Sequence, residues 1–541
     1  MNWKYRSKER SKDLIEDLKK LRNIVELKDF YPTSKLHDID KAVERVTLAI
    51  KNKDKIIIHG DFDADGICAT SIIFDYLYFH AKANVVPYIP SRIDEGYGIS
   101  ESSLLSIKEK YSKNGEKLLI ISVDCGIKDY ELIDNKWHKE FDFIITDHHE
   151  MGESISKEAI AIVHPKLDKY PEKNISGSAV SWKLVSAINE KLKLTDVRTY
   201  LDLVAISTIC DVMPLQGENR YFVREGLEVL NSTTNIGLNE LIKISQIRDT
   251  FIDTYHIGYV LGPRINAAGR MGEPLDAVKL LCTKSTTNAE ILATKLDSLN
   301  RSRQEITERL LKEADIQAKA QKSDKIIIIE GKDWEEGIIG LVAGKVTEEY
   351  ERPCIVLSIR EGKVKGSSRS TSKLDITKTL SLFSKHLEKF GGHFQAAGLS
   401  LKEENLTRFV DDIKNYVNSL DFSIEKDLNI DFEVDLKEIR LDTVKQISTL
   451  KPFGNANPEP VFSTNNLKVS AMNYVGVEKN HLKINLSDEK KETISAIMFN
   501  VKDGIRKIKV GDKVDIAYTL SSKPFNGMDQ IDIKLKDIHG Q

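Results

Sequence analysis

The sequence has few cysteines and no long apolar run. Five cysteines are scattered among 541 residues and none forms a CxxC pair, which argues against a disulfide framework and against a zinc–thiolate site. No stretch approaches the ~18 consecutive apolar residues of a membrane-spanning helix. The charged start, MNWKYRSKERSKD, lacks the apolar core of a signal peptide. We therefore expect a cytoplasmic protein that has no membrane contact.

The sequence also lacks a strong net charge and a phosphate-binding loop of the GxxxxGK[ST] type. The net charge is −3, so any surface for a polyanion such as nucleic acid must be local. Without the loop, nucleotide-driven motor work is not expected. Hydrophobic residues make up 40% and charged residues 30%, as in soluble globular proteins. The length predicts about three to four domains.

The hydrophobic pattern divides the chain into five parts. Residues 1–50 are charged and predicted to be helical. Residues 51–285 alternate between continuous apolar strands and helices, which predicts an α/β domain with a parallel, doubly wound sheet. Residues 286–322 contain no Gly or Pro and predict one long helix. Residues 323–422 predict a smaller α/β domain, and residues 423–541 contain short strands typical of a small β-barrel.

The stretch IIIHGDFDADG (56–66) is the centre of the functional prediction. Three β-branched residues predict the end of a buried strand, and His59, Asp61, Asp63 and Asp65 follow within seven positions. Alternate residues of an extended segment point the same way, so the three aspartates could converge on a cation. The alternative is an acidic, solvated loop in which Asp65 caps a helix.

Three more segments carry acids or histidines at the end of an apolar run. Because ligands bind at the carboxyl ends of strands in open α/β sheets, this repetition favours one common site. The residues are Asp124 after KLLIISV, Asp147, His148, His149 and Glu150 after FDFIIT, and Asp211 after LDLVAISTIC.

Carboxylates and imidazoles without thiolates suit Mn²⁺ or Mg²⁺ better than structural zinc. Six candidate ligands from four segments exceed what one ion needs, so we expect two ions bridged by one carboxylate. Such a pair activates water for attack on phosphorus. The predicted reaction class is therefore phosphoester hydrolysis.

Other segments could bind the phosphate. In the loop predicted for LGPRINAAGRM (261–271), Arg264 and Arg270 flank Asn266. The Gly-rich stretches VKGSSRSTS and FGGHFQAAG, also expected as loops, offer further donors; these are Ser367, Arg369, the backbone of Gly392, and His393. Arg92 could form either a surface ion pair or an anion clamp.

These motifs resemble a known family. HGDFDADG, VDCG, DHH and CDVMPL are similar to the successive motifs of the DHH phosphoesterase superfamily. With LGPRINAAGRM, GSSRS, GGHFQAAG and KPFGNANPEPVF, the chain after about residue 50 closely resembles the RecJ family of bacterial single-strand-specific 5′→3′ exonucleases. The resemblance implies a parallel-sheet DHH catalytic domain, a long connecting helix, a DHH-associated domain and a C-terminal OB fold.

The resemblance also implies roles for the central acids and histidines. The pattern His-x-x-x-Asp-x-Asp would supply both metal positions, Asp124 would bridge the ions, and two further ligands would complete the second ion. The implied metal ligands are His59, Asp63, Asp65, Asp124, His148 and Asp211. His149 would face the scissile phosphate as a charge stabiliser or acid, while Asp61 and Asp147 would orient ligands and tune imidazoles.

For the substrate, the resemblance implies that Arg92, Ser367 and Arg369 form a 5′-phosphate pocket and that Arg264 and Arg270 line the path of the strand. The OB fold would grip single strands through a basic groove and base stacking. Four positions depart from the family pattern and concern the path of the DNA rather than catalysis. They are Glu335, His164, Ser176 and Ser178.

The expected function is thus a metal-dependent exonuclease that degrades single-stranded DNA 5′→3′ to 5′-mononucleotides in DNA repair and recombination. A helicase and a single-strand-binding protein are the partners that the resemblance suggests, and it favours a monomer. One alternative is a DHH phosphodiesterase for short oligonucleotides or cyclic dinucleotides. The other is a catalytically inactive replication scaffold.

Overall fold

The computed structural model describes residues 1–7, 13–91, 95–96, 98–112, 117–247, 251–424, 427–501, 505–525 and 528–540. The first elements are β1 (Asn2–Tyr5), α1 (Leu14–Leu21) and α2 (Ile39–Asn52). No helix in this part of the chain combines the length and apolar character needed to cross a bilayer.

A five-stranded parallel sheet forms the predicted doubly wound domain. Its strands are β2 (Ile56–His59), β3 (Val85–Tyr88), β4 (Leu118–Val123), β5 (Phe141–Thr146) and β6 (Ala161–Val163), in the order β3-β2-β4-β5-β6. Ile56 and Ile58 pack into the core on one face and Ile57 into the core on the other. Burial of both faces explains the continuous apolar runs.

Helices cover this sheet and extend the domain. They are α3 (Ala64–Asp75), α4 (Glu101–Tyr111), α5 (Tyr130–Asn135), α6 (Gly177–Leu192), α7 (Leu201–Cys210), α8 (Gly217–Asn231), α9 (Ile236–Ile244), the short α10 (Thr254–His256), α11 (Gly262–Met271) and α12 (Leu275–Cys282). Ser100 caps α4 as a capping box, as its position before the predicted helix suggests.

The stretch LGPRINAAGRM was expected to form a loop, and this prediction is wrong, because it forms α11. Pro263 stands in its first turn, directly after the π-helical turn 257–261. Small residues let the helix pack closely on its neighbours: a Cβ at Gly269 would lie 2.1 Å from the Phe62 carbonyl oxygen. The small residues therefore serve helix packing.

The predicted long helix is confirmed as α13 (Thr286–Ala320), 35 residues or about 52 Å. Its two halves belong to different cores. Ala289, Ala293 and Leu296 pack into the core of the catalytic domain, whereas Leu310 and Ala314 pack into that of the next domain. The helix therefore joins two separately cored units.

The smaller α/β domain contains β7 (Ile327–Lys332), α14 (Glu336–Tyr350), β8 (Cys354–Arg360), β9 (Lys363–Arg369), α15 (Ile376–Leu382), β10 (Lys389–His393), β11 (Ala396–Lys402) and α16 (Leu406–Ser419). The strand order is β10-β11-β9-β8-β7, with β7 and β8 parallel and the other pairs antiparallel. The prediction that VKGSSRSTS and FGGHFQAAG form loops is wrong, since both stretches lie mainly in strands. In β9, Gly366 fits between Leu357 and Leu399, which explains the small residue.

The C-terminal elements are β12 (Asp427–Ile430), β13 (Phe432–Glu433), α17 (Leu441–Ser448), β14 (Phe462–Val475), β15 (His481–Ser487), β16 (Thr493–Met498), β17 (Lys513–Phe525) and β18 (Met528–Gly540). Strands β14 to β18 are the five predicted strands. They close into a barrel, because β14 pairs with both β15 and β17.

The N-terminal segment, predicted as one helical unit over residues 1–50, is divided between two domains. β1 pairs in parallel with β12, and Leu18 of α1 packs into the core of the barrel domain. Ile39 and Val46 of α2 instead pack into the catalytic core. The start of the chain therefore ties the C-terminal domain to the catalytic domain.

Candidate metal centre

The predicted acids and histidines meet at the carboxyl edge of the parallel sheet. The segments after β2, β4 and β5 carry Asp61, Asp124 and His148, while Asp211 follows the last residue of α7. His148 Nε2 lies 3.0 Å from Asp124 Oδ1 and 3.5 Å from Asp211 Oδ2. Asp211 thus reaches the site from the end of a helix and not from a strand.

Three groups of side chains have ligand atoms that lie within 4.8 Å of one another. The groups share Asp124 or His148, which is the arrangement needed for two neighbouring ions. The three groups are Asp61–Asp63–Asp124, Asp65–His148–Asp211 and Asp124–His148–His149. Asp124 belongs to two of them, as the bridging role predicts.

Several buried atoms in this cluster have no hydrogen-bond partner among the described residues. They are Asp61 Oδ1, His148 Nε2 and Asp211 Oδ2. Buried polar atoms are normally paired, so three such atoms within one cluster indicate residues that would hold a cation. All are ligand atoms that Mn²⁺ or Mg²⁺ accepts. The residues therefore fit a divalent metal.

The electrostatics agree with this fit. Burial, followed by the charges of neighbouring carboxylates, raises the pKa values of Asp61, Asp63, Asp124 and Asp211 above their usual range. Burial lowers the pKa of His148 to about 4, so its imidazole is neutral, as a metal ligand must be. A divalent cation would offset the repulsion among these acids.

The position of Asp65 is fixed by the beginning of α6. Its Oδ1 accepts hydrogen bonds from Ser178 N at 2.7 Å and Ser207 Oγ at 2.6 Å, and its Oδ2 accepts one from Gly177 N at 2.7 Å. Oδ1 is thereby saturated, which leaves Oδ2 as the ligand atom. Ser176 Oγ lies 2.8 Å from Ser207 Oγ and donates to it, because the Ser207 hydroxyl hydrogen is directed to Asp65. The serines that depart from the family pattern therefore lie behind a candidate metal ligand.

The sequence did not single out Gly177 or Ser207. A Cβ at Gly177 would lie 2.6 Å from Asp124 Oδ1, so only glycine allows α6 to begin this close to the site. The SGSA stretch, with its glycine between two serines, could have indicated a helix start whose backbone N–H groups hold an anion. Ser207, within an apolar helix, gave no such signal.

Asp63, and not Asp65, caps α3. Its Oδ1 accepts hydrogen bonds from Asp65 N at 2.9 Å and Gly66 N at 3.1 Å. The turn is tight, because a Cβ at Gly66 would lie 2.6 Å from the Asp61 carbonyl oxygen. The helix therefore begins within the acidic motif itself.

His59 lies outside the three groups. Its Nε2 is 3.2 Å from Ser103 Oγ and its Nδ1 is 3.7 Å from Cys125 Sγ. Burial lowers its pKa to about 4. The predicted metal ligand His59 thus contacts a serine and a cysteine, whereas Asp61, expected to orient ligands, contributes a ligand atom to the cluster.

Asp147 and His149 form a separate pair beside the cluster. His149 Nδ1 lies 2.8 Å from Asp147 Oδ1, and Ile127 N donates to Asp147 Oδ2 at 3.0 Å. Burial opposes ionisation of Asp147, but the hydrogen bond with His149, the charges of both histidines and the Ile127 N–H together outweigh it and lower the pKa of Asp147. Burial also opposes protonation of His149, but the same bond and the charges of nearby aspartates together raise its pKa.

His164, the second departure from the family pattern, supports this pair. Its Nε2 lies 3.0 Å from the carbonyl oxygen of His149, and its Nδ1 accepts a hydrogen bond from Lys166 N at 3.1 Å. Because Nδ1 accepts a hydrogen bond, the ring proton is on Nε2, which donates to the carbonyl oxygen of His149. His164 thus holds the backbone of His149.

The predicted substrate residues separate into two sets. Arg264 donates to Asp297 Oδ1 at 2.9 Å and binds α11 to the long helix. The Asn266 side chain accepts a hydrogen bond from Ala64 N at 2.9 Å. Both contacts support the structure of the site, and a contact of these two side chains with substrate stays a prediction. Arg92 lies outside the described residues.

The other set lies where the catalytic domain meets the smaller α/β domain, with Arg270 on α11 and the remaining residues on β9 and β10. Arg270 and Ser367 line a cleft of about 1100 Å³ between the two domains. Arg369 NH1 donates to Ser367 Oγ at 3.2 Å. His393 stacks towards His149, with ring centroids 6.3 Å apart. Gly392 adopts φ +155° in the same strand.

Glu335, another of the four positions that depart from the family pattern, also lines this cleft. Arg309 NH2 donates to its carboxylate at 3.2 Å; the Arg309 side chain is largely exposed and that of Glu335 is half-buried. The pair links α13 to the start of α14. Glu335 therefore adds a carboxylate, and no imidazole, to the wall of the cleft.

Three family models match separate parts of the chain: the DHH family N-terminal domain at residues 55–208, the DHHA1 domain at 323–419 and the RecJ OB domain at 430–537. The single-stranded-DNA-specific exonuclease RecJ of Haemophilus influenzae is 30% identical over 93% of this chain and 90% of its own length. The chain belongs to the RecJ family. This confirms the resemblance and the predicted fold class.

Another RecJ protein, from Bacillus subtilis, is 36% identical over 94% of this chain, and the chain spans 64% of the length of that relative. Among solved structures, RecJ from Thermus thermophilus in complex with Mn²⁺ matches with a TM-score of 0.84 and 25% identity. The match covers 99% of this chain and 79% of that structure. RecJ from the same organism has also been solved with Mg²⁺, at a TM-score of 0.77.

Proposed function

We propose that this protein is a metal-dependent exonuclease that degrades single-stranded DNA 5′→3′ and releases 5′-mononucleotides. The observation that carries the proposal is the set of buried, unpartnered ligand atoms around Asp124. The relatives named single-stranded-DNA-specific exonuclease RecJ support the choice of substrate. All six residues that the family resemblance implies as ligands are present in the sequence, which argues against an inactive scaffold.

Two ions would share Asp124 in this proposal. Asp61 and Asp63 would hold one with Asp124, while a second set would hold the other: Asp65, His148, Asp211 and Asp124. When bound, such a pair supplies a water of lowered pKa for in-line attack on phosphorus and stabilises the leaving oxygen. The oxygen and imidazole donors suit Mn²⁺ or Mg²⁺.

His149 would act on the phosphate directly. Its Nδ1 is engaged by Asp147, so its Nε2 is the atom that would face the substrate. With its pKa raised by that bond, the ring can hold a proton and offset the negative charge that develops on the phosphate. Asp147 and His164 then act as positioning residues, because each contacts His149 and not the substrate.

The cleft between the two α/β domains is the proposed entry for the 5′ end. Ser367 and Arg369 offer a hydroxyl and a guanidinium group for a terminal phosphate. The family resemblance implies a further phosphate contact by Arg92, which lies outside the described residues, and we propose that Arg270 and His393 contact the backbone of the strand. Binding by phosphate contacts would make affinity fall steeply with salt.

The remaining proposals concern the cell. We propose a monomer that works in the cytoplasm in DNA repair and recombination. A helicase to open duplexes and a single-strand-binding protein to present the substrate are its proposed partners. Family membership is the support for each of these points.

The test is a digestion with Mn²⁺ of an internally labelled, 5′-phosphorylated single strand and of a copy blocked at its 5′ end. Mononucleotides should come from the free strand alone, and Asp124→Ala should abolish them while keeping DNA binding and the folded state. Equal digestion of both strands would refute the 5′ polarity. Cleavage of dinucleotides alone would instead favour a phosphodiesterase for short substrates.

A further inference from the structure

A second cleft, of about 580 Å³, lies between the catalytic domain and the loop 451–460 of the C-terminal domain. The catalytic-domain wall comes from the end of α7, from α10 and from the π-helical turn 257–261. The opposite wall comes from the loop. The side chains that matter here are Val212, Tyr255, Tyr259, Phe453 and Pro458.

Two tyrosines project from this wall without being buried. Tyr255 is 61% exposed and Tyr259 is 72% exposed. They are one helical turn apart, and their rings stack with centroids 5.0 Å apart and planes at 28°. Val212 beside them is 62% exposed. Large apolar surfaces grouped in this way mark an interaction site more often than single exposed residues do.

The cleft lies next to the metal centre, although none of the candidate ligands is among the residues that line it. Cys210 and Val212, which line it, are the neighbours of Asp211 on either side. Asn266 also lines it, and its side chain accepts a hydrogen bond from Ala64 N, between two ligands of the acidic motif. A chain lying in the cleft would therefore pass directly beside the ligands of the candidate ions.

The charge of the cleft favours bases over phosphates. Among the described residues that line it, Glu459 is the only charged one. A carboxylate repels a phosphate, whereas an aromatic face stacks on any base regardless of sequence. The tyrosine rings therefore suit the bases of a strand whose phosphates lie elsewhere.

We propose that Tyr255 and Tyr259 form a stacking platform for nucleobases of single-stranded DNA between the C-terminal domain and the metal centre. The proposal rests on the proposed function, because it needs a strand that extends from one domain to the other. It assigns to the catalytic domain a base-binding subsite distinct from the OB fold and from the 5′-phosphate pocket.

The test compares the double variants Tyr255→Leu/Tyr259→Leu and Tyr255→Phe/Tyr259→Phe on a 5′-phosphorylated strand of about 20 nucleotides, longer than one OB fold covers. The leucine variant should raise KM about tenfold or more and change kcat less than about threefold, since stacking contributes to binding. The phenylalanine variant should behave as wild type. Dinucleotide cleavage, which needs no strand in the cleft, should be unchanged.

A series of strands, each with a single abasic nucleotide at a different position, shows which base lies on the platform. At one or two positions the missing base should raise KM for the wild type, and it should have no further effect on the leucine variant, as expected when both changes remove one contact. If the leucine variant keeps a wild-type KM, or the phenylalanine variant is equally impaired, the platform is refuted. The platform is also refuted if the leucine variant is impaired only on a strand covered by a single-strand-binding protein. The tyrosines would then contact that protein and not the DNA bases.

The chain offers a matched control. Phe74 and Tyr78 form a second stacked pair at the same spacing, with centroids 5.2 Å apart, and Tyr78 is 48% exposed but does not line this cleft. Tyr78→Leu should leave KM unchanged. A wild-type protein that cuts no strand would refute the proposed function itself, so the two failures are distinguishable.

Discussion

Asn455 of the C-terminal domain donates a hydrogen bond of 2.7 Å from its Nδ2 to the carbonyl oxygen of Val212, next to the candidate ligand Asp211. Leu215 N returns a bond of 2.8 Å to the Asn455 carbonyl. Val212 has φ +54°, a left-handed conformation that is strained for a β-branched residue. The motif loop KPFGNANPEP thus holds a strained turn beside the metal centre.

The first prediction is that Asn455→Ala weakens metal binding although residue 455 touches no ligand. Without its donor, the turn at Val212 can relax and carry Asp211 with it. We expect the affinity for Mn²⁺ to fall about tenfold, as for the loss of other groups that orient ligands. Mn²⁺ titration followed by electron paramagnetic resonance measures this. Asn485→Ala, exposed on β15, is the control, and equal affinities in both variants would contradict the prediction.

The second prediction separates Asp61 from His59 as ligands. Asp61 Oδ1 faces the cluster unpartnered, whereas the His59 nitrogens contact Ser103 and Cys125. Asp61→Asn should reduce the bound Mn²⁺ from two ions to one and lower kcat at least ~100-fold. His59→Gln should retain both ions. The number of Mn²⁺ ions bound by each variant, measured by calorimetric titration, tests this prediction. Loss of an ion in His59→Gln would support His59 as a metal ligand, as the family pattern implies.

The difference at these two positions shows what a sequence pattern can and cannot predict. The convergence of Asp61, Asp63 and Asp65 was predicted from an extended backbone. The backbone instead enters α3 at Ala64, with Asp63 as its cap. From there the side chains follow a helix, so Asp65 points to α6 and joins a different group from Asp61. The position of a helix start within an acidic motif is not visible in residue type alone.

The broader architecture was predictable because burial leaves a strong pattern. Strands such as β4 are buried on both faces and appear as uninterrupted apolar runs. The small-residue stretches were not predictable in the same way. In α11 and β9 the glycines meet tertiary neighbours, Phe62 and Leu399, that are distant in sequence. Without those neighbours, glycine and serine favour a loop.

The third prediction concerns the pair formed by Asp147 and His149. Asp147→Asn replaces the carboxylate that fixes the imidazole and holds its proton. We expect kcat to fall at least ~100-fold because the ring is no longer held in its tautomer or orientation, within the range known for acid–base groups. Two Mn²⁺ ions should still bind. Asp129→Asn, at a partly buried carboxyl that accepts from Ile99 N, is the control and should keep kcat. Loss of an ion would mean that Asp147 acts on the metals.

The last prediction concerns stability and pH, at a carboxyl away from the metals. Asp202 is buried in α7 and accepts hydrogen bonds from Thr233 Oγ1 and Leu203 N, both at 2.7 Å. Burial raises its pKa to about 6. The folded protein therefore retains a proton on this group between about pH 4 and pH 6, where the unfolded chain has lost it. Its contribution to stability falls as pH rises through this window and stays low above pH 6.

Asp202→Asn removes this dependence, since an amide fits the same hydrogen bonds once the Thr233 hydroxyl rotates to accept one. Thermal unfolding should show equal melting temperatures near pH 4, and the variant should gain up to about 2 to 3 kcal/mol relative to the wild type above pH 6. Thr233→Val, which removes the hydroxyl partner, should act in the opposite direction because the ionised carboxylate then loses a donor. A variant that is less stable than the wild type at pH 8 would show that Asp202 is ionised and well stabilised in the folded protein.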